Sequence, residues 1–132
     1  MRSPEGNGQA VVVERARFLR EKLVSLLGRA GWQVAGAAGD GLRALEVIRT
    51  SRPDLVVLDL VLPDMSGTEL IRVIKAEVPS CRVVVCSALV QATWVKAAVE
   101  AGADDFVVKP VDESRFLAAV TREPRQVLSE PA

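Results

Sequence analysis

One carboxylate stands inside an apolar run of the chain. Asp59 lies within VVLDLVLPDMSG, residues 56–67, directly between Leu58 and Leu60. Because an unpaired buried charge is very costly, this carboxylate must be neutralised, be paired, or stand where its strand reaches the surface. A charged carboxylate at such an edge can act as a nucleophile, provided that neighbouring cations offset its charge.

The composition excludes several other kinds of chemistry. The chain of 132 residues contains no histidine, which removes Ser-His-Asp and Cys-His catalysis and any histidine-ligated zinc site. Its 17 basic residues balance 17 acidic ones, so no charge excess points to nucleic acid or to an anionic membrane. We therefore expect neither as a direct partner.

The cysteines and the N-terminus indicate a cytoplasmic protein. Cys81 and Cys86 bracket CRVVVC. In a strand their sulfurs would lie about 17 Å apart on opposite faces, too far to form a disulfide. We interpret them as small core residues in a reducing compartment. No run has the length of a signal peptide or a membrane span.

Short valine-rich runs alternate with segments of helical period, and this alternation positions the candidate residues. Predicted strands cover AVVV, WQVAGAA, LVVLDL, RVVVC and FVV, and each is followed by a predicted helix. Asp40 and Asp112 are predicted helix caps, Ser66 and Glu69 form a capping-box pattern, and Gly31 and Gly102 are expected helix ends.

Strict strand-helix alternation predicts one α/β domain, built on a parallel sheet with helices on both faces. Such sheets bind ligands beyond the carboxyl ends of their strands. The residues that follow the predicted strands therefore share one rim: Glu14, Arg15, Asp59, Ser87 and Lys109. We expect the domain to span residues 9–123, with a disordered N-terminus over residues 1–8 and a tail over residues 124–132.

Three motifs resemble the receiver domain of two-component response regulators, similar to the chemotaxis regulators. They are VVLDLVLPDMSG, VVVCSA and AGADDFVVKPVD, and the resemblance runs from about Ala10 to Thr121. It implies a flavodoxin-like fold with five helices and a doubly wound sheet of five parallel strands in the order 2-1-3-4-5. It also implies a signalling domain that catalyses at most its own phosphorylation and dephosphorylation.

The resemblance assigns roles to individual residues. Asp59 is expected to accept a phosphoryl group from a histidine kinase, a phosphotransfer protein or a small phosphodonor. Lys109 and Ser87 would contact the phosphoryl oxygens, and the Lys109–Pro110 peptide bond would be cis. Phe106 is either the aromatic that changes rotamer on phosphorylation or an ordinary core residue. The α4-β5-α5 face would then contact a downstream protein or a second copy of the chain.

One position departs from the family pattern. Receiver domains end the first strand with two acids that help to hold magnesium, and the second acid is a direct ligand. Here the pair is Glu14 and Arg15. One unit charge beside a divalent ion at about 6 Å is worth roughly 5 kcal/mol at an effective dielectric near 20. Glu14, Asp59 and the carbonyl of Val61 remain as ligands, so we expect magnesium binding to be weakened.

Arg15 has two interpretations. Its guanidinium either turns inward and pairs with Asp59 in place of the missing cation, which is the interpretation that we favour, or it turns outward to solvent.

Two further functions compete with the phosphorylated receiver. The chain is alternatively a degenerate receiver that acts as a protein-interaction module without phosphorylation. A small-ligand or nucleotide-binding domain is the third hypothesis, but AGAAGDG, residues 35–41, follows the second strand and lacks the dinucleotide-binding glycine pattern.

Overall fold

The computed structural model describes residues 8–121, which form five strands and five helices in alternation. The strands are β1 (Gly8–Val13), β2 (Trp32–Ala38), β3 (Leu55–Leu58), β4 (Arg82–Ser87) and β5 (Asp105–Val108). The helices are α1 (Arg17–Arg29), α2 (Gly41–Ser51), α3 (Gly67–Glu77), α4 (Ala92–Ala101) and α5 (Glu113–Thr121).

All strand pairs are parallel, and the sheet order is β2-β1-β3-β4-β5. This confirms the predicted architecture. One face of the sheet packs against α2, α3 and α4, and the other packs against α1 and α5. The central strands are buried on both faces, which explains why β3 and β4 are apolar without alternation.

The two cysteines lie on opposite faces of the sheet, as predicted. Cys81 belongs to the core beneath α2, α3 and α4, whereas Cys86 belongs to the core beneath α1 and α5. Both are free thiols, and burial raises the pKa of each to about 12. They therefore act as core residues.

The predicted helix boundaries are confirmed at several residues. The Asp40 side chain accepts a hydrogen bond from the Arg43 N–H, and Ser66 with Glu69 forms the predicted capping box at α3. Asp112 accepts a hydrogen bond from the Arg115 N–H at the start of α5. Gly102, with φ 121°, follows α4 in a backbone region that glycine tolerates best.

The N-terminal boundary differs slightly from the prediction. Strand β1 already includes Gly8, which we had assigned to the disordered segment 1–8. The main-chain N–H of Gln9 donates to Asp54, so the start of this strand is held in the sheet. Residues 1–7 and the predicted tail, 124–132, lie outside the described residues. No helix within residues 8–121 has the length and apolar character needed to cross a membrane.

Candidate functional site

Asp59 is the first residue after β3, at the carboxyl edge of the sheet. Its main-chain N–H donates to the carbonyl of Val13 in β1, at 3.1 Å, and the residue is 5% exposed. The following loop folds back tightly, because the N–H of Gly67 donates to the Leu60 carbonyl. A Cβ atom at Gly67 would lie 2.6 Å from the Asp59 carbonyl oxygen, so only glycine fits there. Gly67, the first residue of α3, thus fixes the path of the loop that follows Asp59.

Lys109 is the cation that faces Asp59. Its Nζ donates to Asp59 Oδ2 at 2.8 Å and lies 3.0 Å from Glu14 Oε1. Strand β5 aims the lysine at the pocket, since the Lys109 N–H continues the ladder to the Ser87 carbonyl. The Lys109–Pro110 peptide bond is cis, as the family resemblance implied. The structure thus brings Asp59, Lys109 and Glu14 into direct contact.

Glu14 lines the inner wall of this pocket and is 1% exposed. Its Oε2 accepts a hydrogen bond from the Ala16 N–H at 3.0 Å. Its Oε1 is buried and has only the ion-pair contact with Lys109, which is not aligned as a hydrogen bond. Two carboxylates therefore share one ammonium group, and the three side chains carry a net charge of −1.

The environment of Lys109 keeps it charged. Burial lowers its pKa, but the hydrogen bond to Asp59 and the contact with Glu14 outweigh that effect. The net result is a pKa above the ordinary value of a lysine. A fixed positive charge therefore faces the Asp59 carboxylate at neutral pH.

Ser87 ends β4 and Phe106 lies in β5, and neither forms a hydrogen bond or an ion pair with Asp59. Ser87 is fully buried, and its Oγ accepts a hydrogen bond from the Leu89 N–H at 3.2 Å. Phe106 is partly buried against the core beneath α2, α3 and α4. The role of each in phosphoryl binding stays a prediction.

Val61 shapes the loop beside Asp59. Its N–H donates to Asp59 Oδ1 at 3.3 Å, and it forms an isolated antiparallel bridge with Ser66. The Asp59 carboxylate therefore accepts hydrogen bonds at both oxygens, one from this loop and one from Lys109. These two hydrogen bonds explain why a carboxylate is tolerated at the end of an apolar strand.

The inward interpretation of Arg15 was wrong for this structure. Arg15 is exposed, and its side chain makes no ion pair or hydrogen bond within residues 8–121. Lys109 occupies the place beside Asp59 that we had given to the guanidinium. Moving an exposed guanidinium into the pocket costs desolvation and side-chain entropy, and it gains little where an ammonium already contacts both carboxylates.

The residues of this pocket do not fit the magnesium site that the fold family implies. Magnesium needs several oxygen ligands in a near-octahedral array. Within the described part of the chain, no group of three acidic, cysteine or histidine side chains could hold a metal ion. Glu14 and Asp59 both face Lys109, and Arg15 supplies no oxygen where a third carboxylate would stand.

The sequence analysis did not predict two features of the structure. Asp64, in the loop after β3, receives hydrogen bonds from the N–H groups of Gly41 and Leu42 at the start of α2. The bond from Gly41 is the main reason that the pKa of Asp64 is lowered. Asp64 therefore adds a second acidic cap to the N-terminus of α2, beside the Asp40 cap. A carboxylate in the loop after β3 is the only sequence signal that pointed to this role.

The second missed feature is a buried charge network at the other end of the sheet. Arg82, in β4, is 2% exposed and donates from Nε and Nη2 to the Ala119 carbonyl of α5. Asp105 lies 3.6 Å from Arg82 and 2.8 Å from Arg115. Arginine at the start of a strand ordinarily predicts a surface position.

Comparisons with known proteins agree with this geometry. The family model described as "Response regulator receiver domain" matches residues 10–121. The chain belongs to the response regulator receiver family. The receiver domain is 37% identical over 114 residues to the chemotaxis protein CheY of Thermotoga maritima, covering 86% of this chain and 95% of that one. It also matches the DNA-binding response regulator MtrA of Mycobacterium leprae at 38% identity, covering 92% of this chain and 53% of that protein.

Solved structures show the same fold. A chain of the CheX-CheY-BeF3-Mg complex from Borrelia burgdorferi superimposes with a TM-score of 0.82 at 27% identity, covering 88% of each chain. The BeF3-activated DrrB receiver domain superimposes with a TM-score of 0.79 at 31% identity, covering 93% of this receiver domain and 98% of that chain. The family is one of signalling domains of two-component and chemotaxis systems, and the recognition and fold predictions are confirmed.

Proposed function

We propose that this receiver domain accepts a phosphoryl group on Asp59 and signals through the face formed by α4, β5 and α5. The observation that carries the proposal is the contact of 2.8 Å between Lys109 Nζ and Asp59 Oδ2. It supplies a fixed cation beside a carboxylate at the open edge of the sheet, which is what attack on phosphorus requires.

The reaction follows from these groups. An Asp59 carboxylate oxygen attacks phosphorus, and a new P–O bond forms as the bond to the leaving group breaks. With acetyl phosphate, acetate leaves with the electron pair. With a phosphohistidine of a kinase or phosphotransfer protein, the imidazole nitrogen leaves with the electron pair and takes up a proton. Lys109 offsets the charge on the transferred oxygens.

Ser87 is the proposed hydroxyl donor to the phosphoryl group. Its Oγ acts as a hydrogen-bond acceptor from Leu89, so its hydroxyl proton is available for an acceptor at the rim. Phe106 lies in β5, the strand that Lys109 directly follows. A change at the pocket thereby has a short covalent route to the α4-β5-α5 face.

That face carries exposed apolar residues suited to a partner. Trp94 and Val99 of α4 are 43% and 58% exposed, and Val108 of β5 is 50% exposed. Val90, in the loop before α4, is 52% exposed. Aromatic side chains are enriched in protein interfaces, and the buried core of an interface is more apolar than its rim, so a downstream protein or a second copy of the chain is the proposed partner. The cytoplasmic location stays a prediction, supported by the two free cysteines.

Intact-mass spectrometry after incubation with acetyl phosphate tests the acceptor. The parent should gain the mass of one phosphoryl group, Asp59→Asn should gain none, and Asp64→Asn should behave as the parent. A mass gain that persists in Asp59→Asn and disappears in Asp64→Asn would move the acceptor to Asp64.

The signalling face has a test of its own. Trp94→Ala should weaken phosphorylation-dependent association in analytical ultracentrifugation or partner pull-down. Phe18→Ala is the matched control, because Phe18 is 89% exposed on α1, which lies on the opposite side of the sheet from α4. Equal loss in both variants, or in neither, would argue against the α4-β5-α5 face.

A further inference from the structure

Three arginines cluster where β1 passes into α1, and their partners differ. Arg17 pairs with Glu21 at 3.1 Å, and Arg20 Nη1 donates to the Glu14 carbonyl at 2.8 Å. Within the described residues, the side chain of Arg15 has no hydrogen bond and no ion pair. Arg15 is thus the cation of this cluster that is available to a new anion.

The backbone of Arg15 is held next to the acceptor pocket. Arg20 Nη1 also lies 3.4 Å from the Arg15 carbonyl, so one guanidinium holds two successive carbonyls of the turn. Glu14, the residue before it, contacts Lys109, and Asp59 bonds to Val13 of the same strand. Only the side chain of Arg15 must move to reach the mouth of the pocket, and an arginine side chain is long and flexible enough to do so.

Charge counting shows why the movement should follow phosphorylation. Glu14, Asp59 and Lys109 sum to −1 in the resting pocket. A phosphoryl group replaces the single charge of the Asp59 carboxylate with up to two negative charges. Lys109 already serves two carboxylates, so the phosphorylated pocket would hold an uncompensated charge near −2. A second cation is then needed. Because the residues of the pocket do not form a magnesium site, this cation must come from the chain itself.

We propose that Arg15 is this second cation: it rests in solvent and closes on the phosphoryl oxygens once Asp59 is phosphorylated, in place of a metal ion. The proposal rests on the proposed function at Asp59. A guanidinium suits the task, because it binds phosphate oxygens through two parallel N–H groups and stays charged at every physiological pH. The domain should consequently phosphorylate without magnesium, and Arg15 should prolong the life of the acyl phosphate.

The test compares four variants with the parent, each with magnesium or with a chelator. The rate of mass gain with acetyl phosphate and the lifetime of the product are measured for Arg15→Gln, Arg15→Lys, Arg15→Asp and Arg17→Gln. The parent should change little on adding magnesium. Without metal, Arg15→Gln should lose about tenfold or more in rate or lifetime, the size of one charge-assisted hydrogen bond, and Arg15→Lys should recover part of it.

Arg15→Asp should convert the site to magnesium dependence, because it removes a positive charge and supplies the missing carboxylate oxygen. Thermal melts give a readout that is independent of phosphorylation: magnesium should stabilise Arg15→Asp and not the parent. Arg17→Gln, a neighbouring arginine already paired with Glu21, should match the parent in every measurement.

The outcomes separate the two proposals. If the parent is phosphorylated only with magnesium and Arg15→Gln behaves as the parent, Arg15 is a bystander and the proposed function at Asp59 stands. If no condition phosphorylates the parent or any variant, the proposed function fails and the role of Arg15 fails with it. Equal losses in Arg15→Gln and Arg17→Gln would indicate general surface charge and would overturn the specific role of Arg15.

Discussion

Two charge clusters occupy opposite ends of the same sheet, and their excess charges are opposite in sign. At the carboxyl edge, the pocket cluster of Glu14, Asp59 and Lys109 has two acids for one cation. At the amino edge, the anchor cluster of Arg82, Asp105 and Arg115 has two cations for one acid among residues 8–121.

The second difference lies in the hydrogen bonds. Arg82 is fixed by two bonds to the Ala119 carbonyl, and Arg115 is fixed by Asp105 and by the Phe106 carbonyl at 3.0 Å. In the pocket cluster, Glu14 Oε1 is buried with no aligned donor. The bonds from Arg82 and Arg115 hold α5 on the sheet, whereas the pocket cluster carries excess negative charge at the open edge of the sheet, where a new cation can approach.

The largest expected effect breaks the pocket cluster. Lys109→Met should destabilise the domain by about 3–5 kcal/mol at neutral pH, because it leaves two buried carboxylates without their cation. Urea unfolding of the parent and the variant measures the difference. Adding Asp59→Asn to Lys109→Met should recover part of the loss, since one of the two repelling charges is then gone. Additive losses in the double variant would show that the carboxylates do not share Lys109 energetically.

A matched substitution breaks the anchor cluster. Asp105→Asn should destabilise by about 2–3 kcal/mol, because it removes the only carboxylate of a cluster whose Arg82 is 2% exposed. Phosphorylation of Asp59 by acetyl phosphate should persist in this variant. A loss of phosphorylation in folded Asp105→Asn would mean that the two clusters are coupled and that the anchor cluster is not merely structural.

The corresponding Asp-to-Asn substitution in the pocket cluster, Asp59→Asn, should change the free energy of unfolding less. Asp59→Asn loses the bond to Lys109 but relieves the repulsion from Glu14, so its unfolding free energy should stay within about 1 kcal/mol of the parent. Paired urea curves for Asp59→Asn and Asp105→Asn therefore test the comparison directly. If both variants lose the same stability, the contrast between a reactive cluster and an anchoring cluster is wrong.

The smallest expected effect is the loss of stability at alkaline pH, which should affect the pocket cluster and not the anchor cluster. The pKa of folded Lys109 lies above its value in the unfolded chain, about 10.4. Its contribution to stability is therefore fully present below that pH and is lost as pH rises through the folded pKa. Arginine does not deprotonate in this range, so the anchor cluster should be unaffected.

The measurement is a series of melts across alkaline pH for the parent and Lys109→Met. Deprotonation of the two cysteine thiols on unfolding lowers stability in both proteins, so the difference between the two curves isolates Lys109. A difference that does not narrow above pH about 10.4 would contradict the raised pKa.

Much of the fold could be predicted from residue types alone. Alternation of valine-rich runs with helical periods indicated a parallel sheet covered on both faces, because such strands cannot leave either face in water. Helix ends such as Asp40, the Ser66–Glu69 pair and Gly102 depend on local backbone chemistry and were correct for that reason. The strand order was also correct, but it was predicted from the family resemblance and not from periodicity.

The candidate site divides in the same way. Placement of Glu14, Asp59, Ser87 and Lys109 at one edge follows from parallel strands, and Gly67 is fixed by the tight loop that it must form. The direction of the Arg15 side chain did not follow, because an exposed side chain is placed by competition among water, Lys109 and two carboxylates, which no local pattern records.

The sequence by itself determined the alternation of elements, the acceptor candidate and the loss of one acid at position 15, because these depend on residue identity and short-range spacing. Only the tertiary structure decided that Lys109 contacts the carboxylates of both Glu14 and Asp59. The same holds for the burial of Arg82 and for the capping of α2 by Asp64. Each of these joins residues more than 20 positions apart in the chain. Their energies depend on burial and on charge partners, and both come into existence only when the sheet and helices pack together.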